Sequence, residues 1–331
     1  IYNPEFSTQQ TMQLLRLAPP LLLLLCSQHA QGVWSESNLD VKTLDVDSAG
    51  EPSKLLVYLP QAHNRGIFSV FAHTLTYFRD NGDRNLPIMV DWSNFPNYAY
   101  GVDKGRNLWD DFFEQPYKVQ GFNLTGSEER EIYSYMPLDL TEGYGTRNGF
   151  GLTDEKLALG RSLVRRFVRF KPEIIEEAEH FRKHNLAQFK KPLAVHIRQT
   201  DKISQAKSNF EPKVEFRRKL EAIMKERGYD GFFLASDSPE IKRYLKSMFG
   251  DRCVEYHSTL SHLNEDGNYG AVHKDHSIRG FKKAKDVIME VLLMGSCDAM
   301  ISTYSCVANG VRWTGSESLA ADHHYFQDMS F

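Results

Sequence analysis

The sequence predicts an α/β protein built as two Rossmann-like lobes facing a cleft. From residue 191 onward, strand-like and helix-like segments alternate in strict order. Their strands are short continuous apolar runs, as expected where helices cover both faces of a parallel sheet. A separate β-α-β stretch between residues 54 and 92 starts a second unit of the same kind, with a long irregular segment between the two.

In the first unit "KLLVYLP" (54–60) reads as a buried strand. "GIFSVFAHTLTYFRDNG" (66–82) has apolar residues at helical spacing and a glycine stop, and "LPIMVDW" (86–92) is a second strand. Residues 93–152, rich in aromatics, Gly and Asn, read as long functional loops with short helices. Residues 153–185 form a helical stretch broken around Pro172, with Thr153 as N-cap. Arg161, Arg165, Arg166 and Arg169 read as a solvated face, with "EIIEEAE" as countercharge.

In the second unit "PLAVHI" is a strand and 212–228 a helix stopped by Gly228. "GFFLASD" (231–237) is a strand, followed by a helix over 238–250 with Ser238 as N-cap and Pro239 at its first position. "CVEYHS" (253–258), a helix over 284–298 and a strand "AMISTYS" (299–305) complete the alternation. The organisation expected is a leader at 12–32, a polar stem at 33–53, an N-terminal lobe at 54–185 and a C-terminal lobe at 186–318.

Of the 331 residues 41% are hydrophobic and 25% charged, an ordinary globular balance. The net charge of −3 gives no bulk positive field, which argues against nucleic acid as a partner, so any anionic ligand needs a local site. The leader has one basic residue, an apolar run over 17–26 and the small residues Ala30 and Gly32, the pattern of a secretory signal. A signal anchor is the competing reading, although the run is about half a membrane span. The acceptor triplet Asn123-Leu124-Thr125 fits glycosylation in the secretory pathway, in the ER or Golgi lumen or after secretion.

No metal site is expected. Cys26, Cys253, Cys297 and Cys306 include no C-x-x-C pair, and His257, His262, His273 and His276 lack a diagnostic spacing. With Cys26 in the leader, the other three allow one disulfide plus a thiol, or no disulfide. The D-x-D at Asp45–Asp47 reads as solvated stem, and the Asp/Asn/Gly run at 263–270 as a turn able to close over a ligand. "DWSNFPNY" (91–98) offers aromatic platforms for a sugar, with core packing as the competing use.

Parallel α/β sheets bind ligands at the carboxyl ends of their strands. Three polar clusters fall there: His196 to Lys202, Ser236-Asp237-Ser238, and Ser302 to Ser305. In order, "VHIRQTDK", "LASDSPEI" and "HSIRGFKKAKDVIMEVLLMGSCDAMISTYS" resemble the three sequence blocks of α1,6-fucosyltransferases. The first block has the H-x-R-x-x-D pattern also found in α1,2- and protein O-fucosyltransferases. The resemblance spans roughly residues 55–315.

It implies a GT-B-type, inverting, metal-independent fucosyltransferase with GDP-fucose as donor substrate, no cofactor, and a glycan or glycoprotein acceptor. It places Arg198 on the donor β-phosphate, where a guanidinium makes bidentate bonds. It puts Lys202 near the reacting centre, Asp237 on the guanosine, Glu290 where the family has a donor-contacting aspartate, and His196 in contact with the donor. Ser305 and Cys306 match the family's phosphate-binding serine pair. This sequence departs from the pattern at Gln199 (a second arginine in the family), Ser238 (a second aspartate) and Cys306 (the second serine). The family's basic glutamate aligns near Ala206 or Lys207, which leaves Asp201 and Glu211 as the nearest acids. The competing functions are a non-catalytic sugar-nucleotide or glycan-binding protein on this fold, and a protein O-fucosyltransferase.

Overall fold

The computed structural model describes residues 52–61, 65–134, 140, 152–198, 213–258 and 272–326. All fall in one compact unit, Val41–Phe331. The leader, most of the stem, Gln199, Asp201, Lys202, Ala206, Lys207, Glu211, His262 and the 263–270 turn lie outside the described residues. Among those described, no helix is long and apolar enough to cross a membrane.

The chain runs β1 (Lys54–Tyr58), α1 (Ile67–Asn81), β2 (Ile88–Val90), α2 (Trp109–Phe112), α3 (Pro116–Val119) and β3 (Glu129–Tyr133). Then follow α4 (Asp154–Phe167), α5 (Pro172–Asn185), β4 (Pro192–Ile197), α6 (Lys213–Arg227), β5 (Gly231–Ser236) and α7 (Pro239–Phe249). The last elements are β6 (Cys253–Val254), α8 (Gly280–Gly295), β7 (Ala299–Ser302), α9 (Cys306–Thr314), α10 (Glu317–Ala321) and β8 (His323–Tyr325).

Two sheets form, with strand orders β2-β1-β3 and β6-β5-β4-β7-β8. Every pairing is parallel. The period of two along β4 explains its place at the centre of the second sheet. Leu193, Val195 and Ile197 join a buried cluster with Phe216, Leu220 and Ile223 of α6 and Ile241 and Leu245 of α7. Each fully buried side chain of this size contributes about 1.5–3 kcal/mol. The intervening Ala194 and His196 point to the other face, where α8 packs on β4 and β5.

The first sheet rests on an aromatic core. Tyr58 stacks on Tyr77 at 4.5 Å, Phe78 on Phe167 at 4.8 Å, and Trp92 meets Trp109 edge-on at 5.1 Å. Within 91–98 the core-packing use holds for Trp92 and Phe95, whereas Tyr98 lines the cavity described below. Trp92 and Phe95 are fully buried, and the Trp92 indole N–H donates to Thr74 Oγ1 at 3.3 Å.

Other expectations also change. Strands β3 and β8 and helix α9 form where no element was read, β6 is shorter than 253–258, and α8 starts four residues before 284. The basic run divides: Arg165 and Arg166 are exposed on α4, as a solvated face requires, while Arg161 is structural. Arg161 Nη1 donates to the carbonyls of Arg312 (2.7 Å) and Gly315 (2.9 Å), closing the C-terminus of α9. Arg165 pairs with Glu317 and Arg166 with Asp83, so their countercharge comes from outside "EIIEEAE". Close contact seals the same joint: a Cβ at Gly160 would lie 2.2 Å from Trp313 Nε1, and one at Gly310 2.3 Å from the Phe68 ring. Arg161→Ala is expected to cost about 2 kcal/mol by leaving these carbonyls without a charged donor. The check is a lower urea midpoint at unchanged slope.

Candidate functional site

An open cavity of about 860 Å³ lies at the carboxyl ends of β4 and β5, with residues that follow β7 on its other wall. The chain leaves β4 toward β5 and β6 on one side, then returns to β7 and β8 on the other. The cavity therefore sits at the topological switch point, where open parallel sheets bind ligands.

Part of the lining suits an anion. Arg198, the first residue past β4, lines the cavity together with Gly66–Ser69 at the start of α1 and Cys306 and Val307 at the start of α9. Neither helix has an acid in its first turn, whereas α4, α5, α6, α7 and α10 all do. The partial positive charge of both helix ends is thus left for a ligand. The Arg198 backbone is fixed independently of its side chain. Its N–H donates to Thr303 Oγ1 at 2.8 Å, and the Thr303 N–H donates to the His196 carbonyl at 2.9 Å.

His196 is 6% exposed and lines the cavity, and its Nδ1 has no hydrogen-bond partner among the described residues. Ser69 Oγ is also buried, cavity-lining and unpartnered. Buried polar atoms are rarely left so, and two in one cavity point to a ligand that completes them. Burial and then the neighbouring Arg198 charge depress the His196 pKa to about 3, so the imidazole is neutral at physiological pH. An unfolded histidine titrates near 6.5. The stability linked to His196 is therefore complete above pH 6.5 and falls as pH drops toward 3. Between pH 6 and 5 the unfolded state is expected to take up close to one extra proton from this group, a slope of about 1.4 kcal/mol per pH unit. Urea midpoints across that range check it.

Another part of the lining is acidic and hydroxylic. On α8, Lys283, Asp286, Val287 and Glu290 repeat at helical spacing and all face the cavity. Burial raises the Glu290 pKa, partly offset by Lys242, which lies 3.5 Å away, and by the Ser258 hydroxyl, which donates to its Oε1. Asp286 pairs with Lys282 at 2.7 Å. Ser236 and Asp237 contribute the end of β5.

A clamp holds α8 against the first half of the chain. Asp103, fully buried, accepts from Arg279 Nη2 at 2.8 Å and from the Phe281 N–H at 3.2 Å. Burial works against ionisation of Asp103, but these bonds and the charges of Arg279 and Arg106 outweigh it and hold the carboxyl below its usual range. The Tyr100 hydroxyl donates to the Ile278 carbonyl. Lys283 Nζ donates to the carbonyls of Asn97 (3.0 Å) and Asp275 (2.8 Å), and burial pulls its pKa down to about 8.

Of the residues singled out from sequence, His196, Arg198, Asp237, Glu290 and Cys306 line this one cavity. Ser305 does not. Its hydroxyl accepts the Val307 N–H at 2.9 Å as the N-cap of α9, and Ser238 caps α7 in the same way. Cys253 and Cys297 are buried thiols, with burial pushing Cys253 up to about 12 and Cys297 also upward, while Cys306 is half-buried. No group of three His, Cys, Asp or Glu suited to a metal occurs among the described residues. Asn123 is exposed in the loop before β3. Tyr98, the end of the aromatic stretch read at 91–98, also lines it, and the residues that sequence reading missed are Gly66–Ser69, Ser258, Lys283 and Asp286. Asp286 and Lys283 could have been found by stepping back four and seven residues from Glu290 along its helix.

No family model matches the chain. No curated protein matches it. Among solved structures it is similar to a NodZ alpha-1,6-fucosyltransferase co-crystallised with GDP, at 12% identity over 80% of this chain and 92% of that one, TM-score 0.46. It is also similar to the fucosyltransferase NodZ from Bradyrhizobium, at 12% identity over 80% and 92%, TM-score 0.45. POFUT1 in complex with GDP-fucose is 13% identical over 84% of this chain and 99% of that chain, TM-score 0.46.

Proposed function

We propose that the chain is a GT-B-type glycosyltransferase that moves fucose from GDP-fucose to a glycan hydroxyl with inversion and without a metal. The observation that carries this is the set of groups that share one cavity. Arg198 and two acid-free helix N-termini line it together with Asp237, Glu290 and Ser258. A diphosphate fits the first set, and the hydroxyl and N–H donors of a nucleoside fit the second. Arg198, Asp237 and Glu290 come from the first, second and third of the blocks that resemble fucosyltransferases.

In this reading transfer breaks the bond between fucose C1 and the β-phosphate oxygen as the acceptor oxygen attacks C1 from the opposite face. The acceptor hydroxyl gives its proton in that step to the departing diphosphate, whose oxygen takes the bonding pair from C1. Arg198 neutralises the charge that grows on the departing diphosphate, which a group fixed in advance does without reorganisation. His196, neutral, supplies a hydrogen-bonding nitrogen rather than charge. The leader and the exposed Asn123 support residence in the secretory pathway.

Purified protein is expected to bind GDP and GDP-fucose by calorimetry. Incubation with labelled GDP-fucose and a mixed glycan and peptide panel, read by mass spectrometry, is expected to label a glycan. Failure to bind either nucleotide overturns the reading. Cys306, in the wall where the family has a hydroxyl, favours the second reading of a non-catalytic sugar-nucleotide-binding protein. Binding without transfer across the panel selects it, and labelling of a peptide hydroxyl selects a protein O-fucosyltransferase.

A further inference from the structure

Lys242 has no contact with the expected ligand that the sequence blocks assign, yet it is buried directly behind the cavity wall. It sits on α7 at 5% exposure, among the least exposed of the lysines described. Its Nζ donates to Ser258 Oγ at 2.8 Å and lies 3.5 Å from Glu290 Oε1 and 3.9 Å from Glu255 Oε2. Ser258 in turn donates to Glu290 Oε1 at 2.5 Å. Lys242, Ser258 and Glu290 thus form a closed polar triangle, of which Ser258 and Glu290 line the cavity.

Packing alone gives no reason for a lysine here. Helix α7 is already anchored by Ser238 at its N-cap and by buried Ile241 and Leu245. Replacing a buried ion pair by apolar groups is often neutral or stabilising. A charge kept at such a position implies a demand on its partner. That demand is ionisation, since a carboxylate accepts hydrogen bonds roughly twice as strongly as a neutral group.

We propose that Lys242 is a positioning residue for nucleoside recognition: through Ser258 it holds Glu290 charged and oriented to accept hydrogen bonds from the hydroxyl or N–H donors of a nucleoside diphosphate. This rests on the reading of the cavity as a GDP-fucose site and assigns its nucleoside-binding groups a supporting cation. The charged groups around Glu290 fit the role. Asp286 lies one turn earlier on α8 and is itself paired with Lys282, Glu255 follows β6, and Glu177 of α5 is engaged by Tyr256 and Lys285. Asp237 and Arg198 line the same cavity. Among the described residues, Lys242 is the cation that pairs with Glu290. Burial raises the Glu290 pKa against the pull of Lys242, and removing that cation would raise it further toward protonation.

The test uses the full chain, with GDP and inorganic pyrophosphate as calorimetric probes between pH 6 and 8.5. Wild-type protein should bind both. Lys242→Met should weaken GDP by roughly 10- to 100-fold at pH 6.5, with the deficit shrinking as pH rises, and leave pyrophosphate within about twofold. Glu290→Gln should lose GDP affinity similarly at all pH values, and adding Lys242→Met to it should change little. Lys242→Gln, which keeps a donor in a similar volume, serves if the methionine variant does not fold. Equal losses for GDP and pyrophosphate, or a deficit that pH does not change, would mark a merely structural role and overturn the proposal. Undiminished GDP binding by Lys242→Met overturns it alone. Wild-type protein that binds neither probe overturns the donor-site reading on which it rests.

Discussion

Arg198→Ala is expected to weaken GDP binding by roughly 100-fold and to lower fucose transfer by roughly 10²- to 10³-fold, with little change in thermal stability. The separation of the two effects follows from how the residue is held. The latch that fixes this position uses the Arg198 backbone N–H to Thr303 and the Thr303 N–H to His196, and an alanine keeps both bonds. What is lost is a planar cation between two helix N-termini that carry no acid of their own. Arg198→Lys should recover part of the loss, since an ammonium restores the charge but not the two-pronged geometry. Calorimetry with GDP and a transfer assay at fixed salt measure both effects, with melting temperature as the control. Wild-type affinity in Arg198→Ala would remove the diphosphate from this part of the cavity and sink the functional reading with it.

What could be read in advance depended on whether an element's reason for existing was local. Strands β4 and β5 are apolar on both faces because helices cover both, so "PLAVHI" and "GFFLAS" announce themselves. Strand β3, "EREIY", does not. Among the described residues it is an edge strand paired with β1, and its side-chain anchors come from elsewhere in the fold: Glu131 pairs with Lys54 and Arg84, and Tyr133 packs on Tyr77. Strand β8 is likewise held from elsewhere, with His323 bonded to Ser302 and Tyr325 stacked on Tyr304.

Helix α9 was hidden for the opposite reason. Its Asn309-Gly310 pair has the look of a turn, yet Gly310 is there because Phe68 of α1 packs where a Cβ would stand, and Asn309 is fully buried. A tertiary contact had taken the form of a local breaker. The site divides likewise. Arg198 and Asp237 follow strands directly and Cys306 comes four residues after β7, so strand-end logic reaches them. Gly66–Ser69 enter the cavity from about 130 residues before Arg198, and no local pattern records that path.

The clamp on α8 sets the second large expectation. Gly280→Ala should destabilise the protein by about 3 kcal/mol or more and also weaken GDP binding. By intrinsic preference the substitution should help, since alanine in a helix is favoured over glycine by up to about 1 kcal/mol. The structure reverses the sign. A Cβ at Gly280, the first residue of α8, would lie 1.6 Å from the Tyr98 carbonyl oxygen and 2.4 Å from its carbon. The obstacle is backbone, so no side-chain rotation relieves it. Either the 95–103 segment or the start of α8 must move, and each is tied to the other by Asp103 to the Phe281 N–H, Lys283 to the Asn97 carbonyl and Tyr100 to the Ile278 carbonyl. A shift there carries Lys283, Asp286 and Glu290 with it, because all three share the cavity face of one rigid helix. A fall in melting temperature of roughly 4–6 °C is expected at this size of chain. GDP affinity measured well below the new midpoint should fall too, since the wall of the site is displaced even in the folded protein. A melting temperature at or above wild type would mean that helix preference outweighs the contact, and that the approach of Tyr98 to α8 does not set the position of the acidic wall.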